Sequence, residues 1–170
     1  MLWFHEAVWP QVLAAVPSAR LRIVGRHPPS AIARLAGGAI EVTGTVPSVI
    51  EHLHAAAVVI VPLRIGGGTR LKVYEAMAAR RPVVATTVGA EGLDYRAGED
   101  ILIADAPSDF AKAVIGLLHD PVRRSSVGLA AQRRAAMYDW PNVVGVFATT
   151  LRDVRRRSNA RRPSDDSREH

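Results

Sequence analysis

Short apolar runs rich in β-branched residues alternate along this chain with stretches of helical periodicity, and this alternation constrains the fold more than any other feature. Residues 57–63 (AVVIVPL) and 81–87 (RPVVATT) are the clearest runs, and they are typical of strands that are buried on both faces. Strands that alternate with helices predict a doubly wound, Rossmann-like α/β sheet, parallel and with helices on both faces. In such sheets, ligands bind beyond the carboxyl ends of the strands.

The same patterns predict the individual elements. Strands are predicted at about 21–25, 39–44, 57–63, 81–87 and 101–104. Helices are predicted at about 2–15, 30–35, 48–55, 69–80, 107–118, 121–138 and 141–157. Pro10 is expected to kink the first helix because it removes one i→i−4 hydrogen bond. Ser48 and Glu51 match a capping box. Residues 1–157 therefore predict one domain, and residues 158–170 a basic disordered tail.

Composition narrows the function classes. The 170 residues include no cysteine, so disulfides and thiolate chemistry are excluded, which is compatible with a reducing cytoplasm. No stretch approaches the roughly 20 apolar residues of a membrane span. The net charge is +6, and the last 20 residues hold seven arginines. We interpret these as a solvated helix end and tail. The alternative is a surface for nucleic acid or for the inner membrane face, and the tail lacks the aromatics that stack on bases.

A glycine-rich loop follows the run at 57–63, where a ligand is expected. It opens the segment GGGTRLKVYEAMA at residues 66–78. Glycines allow positive φ and let a ligand approach the backbone closely; they are Gly66, Gly67 and Gly68. Thr69 is predicted as the N-cap of the next helix. The free N–H groups of its first turn, together with the helix dipole, would face an anion.

Two cations in that first turn support an anion site. Arg70 and Lys72 lie where the helix dipole disfavours positive charge by ~0.3–1 kcal/mol each, and a bound phosphate or diphosphate would reverse that sign. The alternative is that both side chains simply extend into water. Glu75 is a carboxylate among apolar neighbours. It offers two acceptor oxygens that suit a ribose diol, although an exposed helix residue is the simpler interpretation.

The segment RIGGGTRLKVYEAMAARRPVVATTVGAEGL, with its flanks, resembles the donor-binding signature of family 4 glycosyltransferases. The resemblance covers about residues 2–150. It implies the second, carboxyl-terminal half of a GT-B fold, in which two Rossmann-like domains face across a cleft. It further implies a retaining transfer of sugar from a nucleotide-diphosphate sugar to an acceptor, usually without a metal or other cofactor. None of the six histidines shows metal-ligand spacing.

The resemblance also implies roles for individual residues. Glu75 would bind the ribose, residues 66–69 and the helix start the diphosphate, and Val46 and Pro47 would flank the base. Arg70 and Lys72 would stabilise the leaving diphosphate as catalytic residues. A glutamate that usually contacts the donor sugar is replaced here by Gly67. Arg26 follows a strand and is expected either to reach the donor or to be a surface arginine.

The family domain begins with a strand and a glycine-containing loop, whereas this chain opens inside the first helix. In the family domain that strand is the first, and it lies centrally, between the second and fourth strands of the domain. Its absence is therefore expected to expose two strand edges. We therefore expect a chain that is incomplete at its amino terminus, lacks the acceptor domain and is inactive alone. The alternative is a degenerate, non-catalytic module that binds a nucleotide or a partner protein.

Overall fold

The computed structural model describes residues 1–138, and Met1–Ala136 form one compact unit. The strands are β1 (Leu21–Val24), β2 (Ile40–Gly44), β3 (Val59–Val61), β4 (Val83–Ala85) and β5 (Leu102–Ile103). The α-helices are α1 (Trp9–Ala15), α2 (Ser30–Ala33), α3 (Val49–Ala55), α4 (Leu71–Ala78), α5 (Pro107–His119) and α6 (Pro121–Ala136). A 3₁₀ turn, Val88–Ala90, was not anticipated. The helix predicted at 141–157 and the tail at 158–170 lie outside the described residues.

All strand pairs are parallel, which confirms the predicted α/β class, but they form two separate sheets. In one, β1 pairs with β2, with Leu21 opposite Ile40. In the other the order is β3-β4-β5, with Val59 opposite Val83. The division falls between β1 and β3, where the sequence predicts two exposed strand edges.

The amino-terminal helix changes its hydrogen-bond pattern just before Pro10, where the sequence predicts a kink. A π-helical segment, Phe4–Val8, precedes α1, and Pro10 occupies the first turn of α1. Proline has no N–H to donate, so the i→i−4 hydrogen-bond pattern cannot continue through Pro10. The turn before it is a wider, π-helical turn. Phe4, Val8 and Val12 recur every fourth residue and are fully buried, so they form the core side of this helix.

One predicted helix start and one predicted capping box need correction. The N-cap of α4 is Arg70 rather than Thr69, because the carbonyl of Arg70 accepts the first-turn hydrogen bond from Val73 N–H at 2.9 Å. Ser48 is the N-cap of α3, as predicted, but its side chain makes no capping hydrogen bond. The capping box with Glu51 is therefore not formed.

The predicted burial is confirmed for one core strand and is wrong for another. Every residue of β4 is fully buried, as predicted for a strand covered on both faces. The three residues of β3 are only half-buried, although their β-branched sequence predicts the same environment. The difference follows from position, because among residues 1–138 β4 has a strand on each side, whereas β3 is paired on one side, with β4.

Candidate functional site

The loops at the carboxyl ends of β3 and β4 are tied together by one buried hydroxyl. Thr86 is 1% exposed; its Oγ1 donates to the carbonyl of Leu63 and accepts from Gly89 N–H at 3.0 Å. A Cβ on Gly89 would lie 2.5 Å from the carbonyl oxygen of Val61. Only glycine fits this contact, so the loop after β4 packs closely against the end of β3.

The side chain of Arg70 folds back and binds the backbone of the glycine-rich loop. Its guanidinium donates to the carbonyls of Gly66 at 3.1 Å, Gly67 at 3.2 Å and Val88 at 2.8 Å. The side chain is 8% exposed, and Glu91 lies 3.6 Å away as its ion-pair partner. Arg70 therefore faces the loop backbone rather than solvent.

The three loop glycines are not equivalent. Gly66 (φ 141°) and Gly68 (φ 99°) have backbone conformations that favour glycine, in agreement with their predicted use. Gly67 has no such φ, and no heavy atom of the described residues lies within 4 Å of the position that a Cβ would take. Packing therefore leaves room for a side chain at residue 67, where the resemblance expects a glutamate.

Lys72 and Glu75 come together in one cleft. Both are exposed and lie three residues apart on α4, which puts them on the same face of the helix. The cleft has a volume of about 1060 Å³ and separates β1 from β3. Pro62 and Leu63, at the carboxyl end of β3, also line it. A cation and a carboxylate thus meet near a strand end, where ligands bind in sheets of this type.

The remaining predicted site residues lie elsewhere. Arg26 follows β1, and Val46 and Pro47 connect β2 to α3. Arg26 and Pro47 are exposed and Val46 is half-buried, and these three are outside the residues that line the cleft. Thr69 is exposed at the end of the glycine-rich loop. Their predicted roles remain predictions.

Sequence reasoning missed a carboxylate that joins β4 to β5. Asp105 accepts hydrogen bonds from Thr87 N–H at 2.9 Å and Thr87 Oγ1 at 2.6 Å. The side-chain bond from Thr87 is the main cause of the lowered pKa of Asp105. Arg64 donates to the Asp105 carbonyl at 3.1 Å. Its guanidinium carbon lies over the ring of Trp3, 5.0 Å from the ring centroid. These contacts span 18 to 61 residues of sequence, so no local pattern indicates them.

Among residues 1–138, no group of three or more His, Asp or Glu side chains is placed to hold a metal ion. No helix within that range is both long enough and apolar enough to cross a bilayer.

Known proteins match this chain over most of its length. The sequence model described as glycosyl transferases group 1 matches residues 1–120. D-inositol 3-phosphate glycosyltransferase of Kineococcus radiotolerans is 35% identical over 118 residues, which are 64% of this chain and 26% of that protein. A GDP-mannose-dependent monoacylated α-(1-6)-phosphatidylinositol monomannoside mannosyltransferase of Corynebacterium glutamicum is 32% identical over 156 residues, 84% of this chain and 41% of that protein.

The fold is similar to that of sucrose-phosphate synthase from Thermosynechococcus elongatus. The TM-score is 0.70, over 88% of this chain and 43% of the other, at 22% identity, so this likeness concerns the fold alone. The chain spans between 26% and 41% of the length of these two curated relatives. Because the family model covers well over half of the chain, the protein belongs to the group 1 glycosyl transferases.

Proposed function

We propose that this chain is the donor-binding part of a retaining glycosyltransferase and that it binds the nucleoside diphosphate of a nucleotide sugar. The observation that carries the proposal is the pair Lys72 and Glu75, which line one cleft at the carboxyl end of β3. A lysine ammonium suits a diphosphate as a point charge. A carboxylate one turn away suits the two hydroxyls of a ribose.

The proposed reaction breaks the bond between the sugar C1 and the diphosphate oxygen, which keeps the electron pair. The acceptor hydroxyl oxygen forms the new bond to C1 with retention, and its proton passes to the leaving diphosphate. Negative charge grows on the leaving diphosphate, so Lys72 and the start of α4 would act electrostatically. Arg70 would act through the loop, because its Nη1 and Nη2 groups donate to the carbonyls of Gly66, Gly67 and Val88.

The acceptor is proposed to bind to polypeptide other than residues 1–138. The matched relatives are much longer than this chain, and a transferase needs surfaces for both donor and acceptor. We therefore expect the chain alone to bind nucleotide without transferring sugar at a rate typical of the family. A cytoplasmic location, where nucleotide sugars would be available, accompanies this proposal.

Lys72→Ala is expected to weaken binding of UDP or GDP by about tenfold or more, since each 1.4 kcal/mol is a factor of ten. Lys112→Ala is the matched control, because the chain has only these two lysines. Lys112 is 76% exposed and pairs with Asp109 on α5. Isothermal titration calorimetry with UDP, GDP and their sugars measures both variants. Equal, small effects of the two substitutions on affinity would show that Lys72 does not contact the nucleotide.

Glu75→Ala is expected to abolish the preference for a ribose over a 2′-deoxyribose nucleotide. If Glu75 accepts hydrogen bonds from the diol, the original chain binds UDP more tightly than dUDP, by about tenfold. The variant should bind both equally. Glu6→Ala, an exposed carboxylate outside the cleft, should keep the full difference. A ribose preference that survives in Glu75→Ala would contradict the assignment.

A non-catalytic binding module is the second candidate, and Gly67 favours it. The expected sugar-contacting carboxylate is absent although the backbone leaves room for a side chain there. Nucleotide binding without turnover, after an acceptor domain is supplied, would select this candidate.

A further inference from the structure

The loops that follow β3, β4 and β5 are connected through one residue, Asp105, just after β5. Its carboxylate accepts from Thr87 N–H at 2.9 Å and from Thr87 Oγ1 at 2.6 Å, and its carbonyl accepts from Arg64 at 3.1 Å. Thr87 follows β4 and Arg64 follows β3. All three residues are exposed, so this connection lies outside the core, at the edge of the sheet where ligands bind.

The bonds to Asp105 hold the residue at which the 3₁₀ turn begins. Thr87 is the N-cap of that turn, Val88–Ala90, and its side chain makes no capping hydrogen bond to the turn. Its hydroxyl donates to Asp105 instead, while its carbonyl accepts from Ala90 N–H at 3.2 Å. Asp105 therefore fixes the start of the turn from outside it.

The turn in turn supplies one of the carbonyls that hold Arg70. The bond from Arg70 Nη2 to the Val88 carbonyl, at 2.8 Å, is the shortest of the three from this guanidinium to main-chain carbonyls. The other two reach the glycine-rich loop, at Gly66 and Gly67. A continuous series of hydrogen bonds thus runs from Asp105 through Thr87, the turn and Arg70 to that loop.

We propose that Asp105 is a positioning residue for nucleotide binding, which holds the turn Val88–Ala90 so that Arg70 keeps the glycine-rich loop in its binding conformation. The inference rests on the proposed function, because it concerns the same nucleotide. A carboxylate that acted on a diphosphate only through its charge would repel it, since both are anions. Removal of the Asp105 carboxylate therefore weakens binding if the residue positions the loop, and strengthens binding if only its charge matters.

The test compares Asp105→Ala with Asp105→Asn in the full chain. Asparagine removes the charge but keeps an oxygen that can accept from Thr87 N–H and an amide group that can donate to Thr87 Oγ1. In calorimetry with UDP and GDP, the affinity should fall about tenfold in the alanine variant and less than about threefold in the asparagine variant. Asp109→Ala is the matched control and should bind as the original chain does, since it removes an exposed carboxylate on α5 that pairs with Lys112. Unchanged or tighter binding by Asp105→Ala would overturn the inference, and so would equal losses in the alanine and asparagine variants.

A double-mutant cycle tests whether Asp105 acts through Arg70, because a series of contacts is not by itself proof of coupling. In the Arg70→Ala background, Asp105→Ala should change nucleotide affinity by less than about twofold, since the glycine-rich loop is already released. A further tenfold loss in that background would show that the two residues act independently, which contradicts the proposed series.

Amide hydrogen exchange in the nucleotide-free chain separates this inference from the proposed function. The amides of Thr87 and Ala90 should exchange about tenfold faster in Asp105→Ala, whereas Val84 in the buried β4 should keep its rate. If the original chain binds neither UDP nor GDP, the proposed function fails and this inference fails with it. If the original chain binds nucleotide but Asp105→Ala leaves the exchange of Thr87 and Ala90 unchanged, this inference alone fails.

Discussion

Asp100→Ala is expected to lower the free energy of unfolding by about 3–5 kcal/mol, the cost of removing one partner from a buried ion pair. Asp100 is 3% exposed. Its carboxylate accepts from Arg96 N–H at 2.8 Å and from Arg134 Nε at 2.9 Å. It thereby connects the turn before β5 to α6. At a urea slope of about 2 kcal/mol/M, the unfolding midpoint should fall by roughly 1.5–2.5 M.

The control is the neighbouring carboxylate. Glu99 is 66% exposed and pairs with Arg96 at 3.5 Å, so Glu99→Ala should change the free energy of unfolding by no more than about 1 kcal/mol. The double variant Asp100→Ala with Arg134→Met should lose less than the sum of its two single variants, because no charge is left buried opposite an empty site. A loss below about 1 kcal/mol in Asp100→Ala would show that this pair does not hold α6 in place.

Periodicity predicted the order and type of the elements because these depend on local residue patterns. Periodicity did not predict the contacts between residues that are distant in sequence. Arg134 reaches Asp100 across 34 positions and Arg70 reaches Val88 across 18, and neither spacing leaves a local pattern. The β-branched run at 57–63 indicated a strand but not its half-burial, which depends on whether another strand covers its edge.

The sequence indicated a candidate site, and the geometry distinguishes its two cations. Glycines, cations and a carboxylate in one segment indicated an anion and ribose site, and the residue list could not separate the two cations. The structure separates them. Lys72 is exposed in the cleft, whereas Arg70 is 8% exposed and faces backbone carbonyls. Substitution of Lys72 and substitution of Arg70 are therefore expected to have different effects.

Arg70→Ala is expected to release the glycine-rich loop and to weaken nucleotide binding by about tenfold or more. The substitution removes donors to the carbonyls of Gly66, Gly67 and Val88, and hydrogen bonds from charged groups contribute about 1.5–3 kcal/mol each. Amide exchange of Gly67 and Gly68 should accelerate, whereas Val84 in the buried β4 should be unaffected. Calorimetry with UDP and GDP measures the affinity.

Arg70→Lys separates a positioning role from direct contact with the diphosphate. If Arg70 shapes the loop, lysine should be nearly as damaging as alanine, because one ammonium cannot replace the planar guanidinium fork across three carbonyls. The salt dependence of nucleotide binding should then stay that of the original chain in both variants. If Arg70 instead contacts the diphosphate, lysine should restore most of the affinity, and alanine should flatten the salt dependence. Lys72→Ala is the reference for that second behaviour, since its exposed ammonium is proposed to face the anion directly.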